Sequence, residues 1–84
     1  MANFYKSLES VFSENKTRTA LKLTERNDWS YFDLSNRVNE IAAVLLNKDV
    51  RVGDRVSVQV EKSPEALALY LAVLKIGAVN VPLN

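Results

Sequence analysis

The side chains that carry most enzyme chemistry are missing from this chain, which has no Cys and no His. Without a thiol there is no disulfide framework, no thiolate nucleophile and no zinc-ribbon site. Without an imidazole there is no Ser-His-Asp triad, no His ligand and no proton shuttle near neutral pH. Any chemistry held here rests on carboxylates, Lys or hydroxyls. Cradling a phosphate needs closely spaced glycines, and the two glycines, Gly53 and Gly77, stand far apart in the sequence, so no phosphate loop is read. The sequence therefore assigns no catalytic, cofactor-binding or metal-binding residue.

Four groups of residues invite a functional reading and also admit a plainer one. Glu61, Lys62 and Glu65 follow an alternating valine segment, at the carboxyl end of a strand, where open α/β sheets often bind ligands. The alternative, a salt-linked and well-capped junction between loop and helix, is favoured. Trp29 and Tyr31 form either an aromatic platform or, as favoured, packing beneath the helix that follows. Lys16, Arg18, Lys22 and Arg26 are interleaved with Glu14, Glu25 and Asp28, so a solvated surface is expected rather than a basic face. Ser57 and Gln59 alternate with valines and are either near an uncovered sheet face or hydrogen-bonded inside.

The elements that would position these residues follow from spacing. Asn3 is a candidate cap for a first helix with Phe4, Leu8, Val11 and Phe12 on one stripe, ending near residues 13–15. Residues 19–24 alternate like a half-buried strand, residues 25–28 are a polar turn, and residues 29–31 return as the second arm of a hairpin, although no Asn-Gly or Asp-Gly marks the turn. Ser30 and Asp33 have capping-box spacing. They open an amphipathic helix with Leu34, Val38, Ile41, Ala42, Leu45 and Leu46 on one face and Ser35, Asn36, Arg37, Asn39 and Glu40 on the other.

A turn at residues 51–54, with Gly53 free to take positive φ, leads into a strand from Arg55 to Val60. Ser63, Pro64 and Glu65 supply a cap hydroxyl, a first-position proline and a first-turn carboxylate for a helix from Pro64 to Ile76. That helix is apolar nearly all round, so it should be covered on more than one side. Gly77 stops it, and Ala78 to Val81 forms a short strand whose ladder Pro82 should end. Strand, helix and strand in so few residues imply a parallel βαβ unit with a right-handed crossover. The expected core is Leu34, Val38, Ile41, Leu45, Val56, Val58, Val60, Leu67, Leu71 and Leu74.

Composition sets the frame around this α/β order. The chain has 84 residues, 48% of them hydrophobic and 25% charged, which fits a folded chain of at most one domain. A net charge of +1 gives no electrostatic case for nucleic acid or for an anionic membrane, so neither is expected as a partner. The longest apolar run, Ala66 to Leu74, is about half of a membrane span. The first residues show no secretory signal, and a soluble, cytoplasmic protein is the expectation. Parallel strands normally sit in larger sheets with both faces covered, so the order of elements reads as the opening of something larger, residues 1–84 being one partial domain.

Two blocks carry a resemblance. The first is Trp29-Ser30-Tyr31-Phe32-Asp33-Leu34. The second runs through Asp54-Arg55-Val56, Glu61-Lys62-Ser63-Pro64-Glu65 and Leu71-Ala72-Val73-Leu74-Lys75-Ile76-Gly77-Ala78-Val79, and closes on Val81-Pro82-Leu83-Asn84. In this order they resemble the N-terminal region of adenylate-forming enzymes, the acyl-CoA synthetase and AMP-binding superfamily. The stretch from Val58 to Ala72 looks closer still to malonyl-CoA synthetases. Asn80 departs from the pattern, standing where the family commonly has Tyr or another bulky residue.

The resemblance implies a fold, the N-terminal piece of the large domain of such an enzyme. It also implies an activity for the longer parent, an ATP-dependent acid–CoA ligase, with malonate or a similar short acid as substrate. Such an enzyme joins the acid to ATP as an acyl-adenylate and transfers the acyl group to coenzyme A, with Mg²⁺ neutralising the phosphates. On that reading ATP, Mg²⁺ and coenzyme A belong to the parent, and this segment alone binds none of them and is inactive. Glu61, Lys62 and Glu65 would then be contacts to substrate or coenzyme A, or the capped junction already described. The implied partner is the remainder of the parent, or another copy, through the open sheet edge. The alternatives are a free-standing partner-binding module and, least favoured, a complete small enzyme.

Overall fold

The computed structural model describes residues 2–24, 26–59 and 62–83. It opens with α1 (Ala2–Glu14). This helix turns Tyr5, Leu8 and Phe12 toward the rest of the chain, a face of i, i+3 and i+7 positions. The face differs from the expected stripe, because Val11 is 46% exposed and the Phe4 side chain lies outside the described residues. Burying the rings of Tyr5 and Phe12 removes more apolar surface from water than burying Val11 would. Asn3 falls inside the first turn instead of capping it. At the other end Asn15 closes the helix, its side-chain amide donating to the Val11 carbonyl at 2.7 Å.

The hairpin is present and shorter than expected. β1 (Thr19–Leu21) and β2 (Trp29–Ser30) pair antiparallel, Thr19 with Ser30 and Leu21 with Trp29, with an irregularity between the two pairs. Between the strands the Asp28 carboxylate accepts a hydrogen bond from the Leu23 N–H at 2.8 Å, a side chain closing a turn that lacks a Gly pair. Glu25, expected in this turn, lies outside the described residues.

Tyr31 does not extend β2, because the capping box claims it for α2 (Tyr31–Asn47). The Ser30 hydroxyl accepts from the Asp33 N–H at 3.1 Å, and the Asp33 carboxylate accepts from the Ser30 N–H at 2.9 Å. Along α2, Leu34, Val38 and Ala42 are buried and Ile41 and Leu45 half-buried, while Leu46 faces solvent. The Arg51 guanidinium reaches back to the Leu46 carbonyl, satisfying part of the helix end.

β3 (Arg55–Gln59) and β4 (Val79–Leu83) pair in parallel, from Arg55 with Val79 to Gln59 with Leu83, and between them runs α3 (Pro64–Lys75). Val60, Glu61 and Asn84 lie outside the described residues. Ser63 caps α3, its hydroxyl accepting from the Ala66 N–H at 3.0 Å, and Pro64 occupies the first turn. The helix ends one residue earlier than expected, with Ile76 as its C-cap and Gly77 following at φ +80°.

Pro82 does not end the ladder as expected, since it stands in β4 opposite Val58. Strand alternation explains this. The Val79 N–H donates to the Asp54 carbonyl at 2.7 Å, so the nitrogens of Val81 and Leu83 also face β3 and that of Pro82 faces outward. The missing N–H is on the side where no strand among the described residues pairs with β4.

α3 packs against α1 and α2 on one side and against β3 and β4 on the other, as its all-round apolar surface requires. Its Ala68, Leu71, Ala72 and Val73 are buried, and the small alanines let α2 approach closely. Of the expected core, Leu34, Val38, Val58 and Leu71 are buried, and Ile41, Leu45, Val56, Leu67 and Leu74 are half-buried. Among the described residues no element covers the face of the β3–β4 sheet away from α3, where Ser57, Val79 and Leu83 are exposed.

Candidate functional site

The junction after β3 is the first candidate, and it is built as a fixed corner. Glu65, in the first turn of α3, meets Arg26 of the hairpin turn at 2.9 Å, and the Arg26 guanidinium carbon lies 5.7 Å from the centre of the Trp29 ring. The hydrogen bond from Arg26 holds the Glu65 carboxyl below its ordinary range, and the same bond raises Arg26. Both side chains are about half exposed, so the pair orients the hairpin on α3 more than it stabilises the fold. Of the junction expected of Glu61, Lys62 and Glu65, the structure shows the Glu65 link, made to Arg26 of the group expected to be solvated, while Glu61 lies outside the described residues. Lys62 is exposed, and with Lys22 it lines an open groove of about 230 Å³ beside Leu21, Leu23 and Leu67.

Trp29 and Tyr31 are half-buried against the core. The Tyr31 ring lies 5.4 Å from that of Phe12, tilted by 39°, which is an ordinary aromatic packing geometry. They are packing residues, not a free platform. Lys16, Arg18, Lys22 and Arg26 are all exposed.

A second open groove, about 430 Å³, is lined by Arg26, Asp28, Trp29, Asp33, Arg37 and Glu40 among others. Its carboxylates are engaged: Asp28 caps Leu23, Asp33 completes the capping box, and Glu40 lies 3.8 Å from Arg37. Among the described residues no three His, Cys, Asp or Glu side chains come together to hold a metal ion.

The two glycines, distant in sequence, meet in space, the Gly53 N–H donating to the Gly77 carbonyl at 2.9 Å. Their positive φ values serve two turns that brace one end of the sheet, and the Gly53 amide is spent on that brace rather than offered to a phosphate. Asn80 donates its side-chain amide to the Tyr70 carbonyl at 3.2 Å, while its Oδ1 is buried without a hydrogen-bond partner among the described residues.

Sequence reasoning missed Lys75. Its ammonium group gathers Glu9, Asn39 and the ring of Tyr5, joining all three helices. The available signal was a single basic residue in the last turn of an otherwise apolar helix.

Comparison with known proteins places this arrangement. The AMP-binding enzyme family profile matches residues 8–84. Tenellin synthetase of Beauveria bassiana (strain ARSEF 2860) is 39% identical over 75 residues, covering 89% of this chain and 2% of its own. Crotonobetaine/carnitine–CoA ligase of Escherichia fergusonii is 33% identical over 58 residues, covering 69% of this chain and 11% of its own. The N-terminal subdomain of Klebsiella oxytoca NpsA superposes on 100% of this chain with a TM-score of 0.85 and 33% identity, and the match covers 21% of that chain. Apo MatB of Rhodopseudomonas palustris superposes on 81% of this chain with a TM-score of 0.76 and 43% identity, over 14% of its own length. The chain thus spans a small fraction of the length of these relatives. It carries an N-terminal subdomain fold of adenylate-forming enzymes and belongs to the AMP-binding enzyme family.

Proposed function

We propose that this chain is the N-terminal piece of the large domain of an ATP-dependent acid–CoA ligase, with malonate or a similar short acid as substrate. The observation that carries the reading is the superposition of the whole chain on the N-terminal subdomain of NpsA. The likeness of Val58 to Ala72 to malonyl-CoA synthetases, the 43% identity to MatB and the similarity to a named CoA ligase support the finer assignment. Residues 1–84 are one partial domain whose work is structural: they brace the sheet that the rest of the large domain extends. ATP, Mg²⁺ and coenzyme A are handled elsewhere in the longer protein, and the partner of the open sheet edge is its remainder or another copy.

An acid-dependent ATP–pyrophosphate exchange assay on the full-length protein, across short mono- and dicarboxylates, tests this. Exchange is expected with malonate, followed by thioester formation on coenzyme A, and no exchange is expected from the 84-residue chain alone. A second reading has its own support, since tenellin synthetase is similar and is not named as a CoA ligase. On it the acid is still adenylated but coenzyme A does not accept the acyl group.

A further inference from the structure

We draw no further inference here: the strongest candidate, the open groove where Lys22 and Lys62 flank Leu21, Leu23 and Leu67 between the hairpin and the start of α3, carries nothing, because nothing in the structure shows what covers it.

Discussion

Lys75 Nζ lies 2.7 Å from Glu9 Oε2 and 5.6 Å from the centre of the Tyr5 ring, so the last residue of α3 is tied to α1 through both a charge and an aromatic face. Asn39 Oδ1 of α2 accepts from the same ammonium group. Three helices converge on one side chain whose own exposure is only 30%. Replacing Lys75 by Met keeps the aliphatic stem and removes the charge. The expected loss is about 1 kcal/mol, combining a partly screened ion pair with a cation–π contact. Urea unfolding reads it as a lower midpoint, and Lys75→Arg should lose less than Lys75→Met.

Tyr5 gives the fold an alkaline limit. Burial, and secondly the Glu9 carboxylate, push its phenol up to about 12 from an ordinary value of 10. Below pH 10 both folded and unfolded chains hold the proton, and the stability of the native state is fully present. Between about 10 and 12 the unfolded chain sheds the proton while the folded one keeps it, so stability falls, by roughly 2–3 kcal/mol over the window. Tyr5→Phe should remove that slope. The difference between the two unfolding profiles isolates the phenol from other groups that titrate there.

Glu65 acts at the other end of the scale. Its carboxyl is lowered by Arg26, so the contribution of the pair is present above the ordinary carboxylate range and is lost as pH falls through the folded value. The urea midpoints of wild type and Glu65→Gln should differ near neutral pH and converge in acid. Midpoints that stay apart by a constant amount would show that the carboxylate charge contributes nothing.

Leu71 and Leu46 separate core from surface. Leu71 is 8% exposed between the helices and the sheet, and Leu46 is 47% exposed on α2. Leu71→Ala should cost on the order of 2–5 kcal/mol, enough to unfold a chain of this size, whereas Leu46→Ala should stay within about 0.5 kcal/mol. Thermal unfolding by circular dichroism distinguishes the two directly.

Local signals in the sequence suffice where one residue decides one element. Ser30 with Asp33, Ser63 with Pro64, and Gly77 each start or stop a helix through a bond made within a few residues. What escaped was decided by contacts between distant residues. Leu46 shares a helical stripe with Leu45, yet only Leu45 packs against the core cluster. Tyr5, absent from the expected stripe, is buried beneath Lys75, a residue far along the chain. Pro82 reads as a terminator until the parity of the ladder shows its nitrogen pointing outward. The candidate site followed the same rule: Glu65 was legible as a first-turn carboxylate, and its partner Arg26 was not.

The glycine brace supplies the last prediction. Gly53 and Gly77 have nearly equal positive φ, +85° and +80°, so Ala at either position takes up an unfavourable left-handed conformation costing about 1–2 kcal/mol. Their surroundings differ. A Cβ at Gly53 meets nothing within 4 Å, while one at Gly77 lies 3.3 Å from a methyl of Val52. Val52 is 81% exposed, so it can turn aside at small cost. Gly77→Ala is therefore expected to lose slightly more stability than Gly53→Ala, and adding Val52→Ala should bring it down to the Gly53→Ala level. The coupling between positions 52 and 77, read from a double-mutant cycle of urea midpoints, should be favourable and on the order of 0.5 kcal/mol. Strict additivity would mean that Val52 does not touch the new methyl, and that the two turns differ only in backbone conformation.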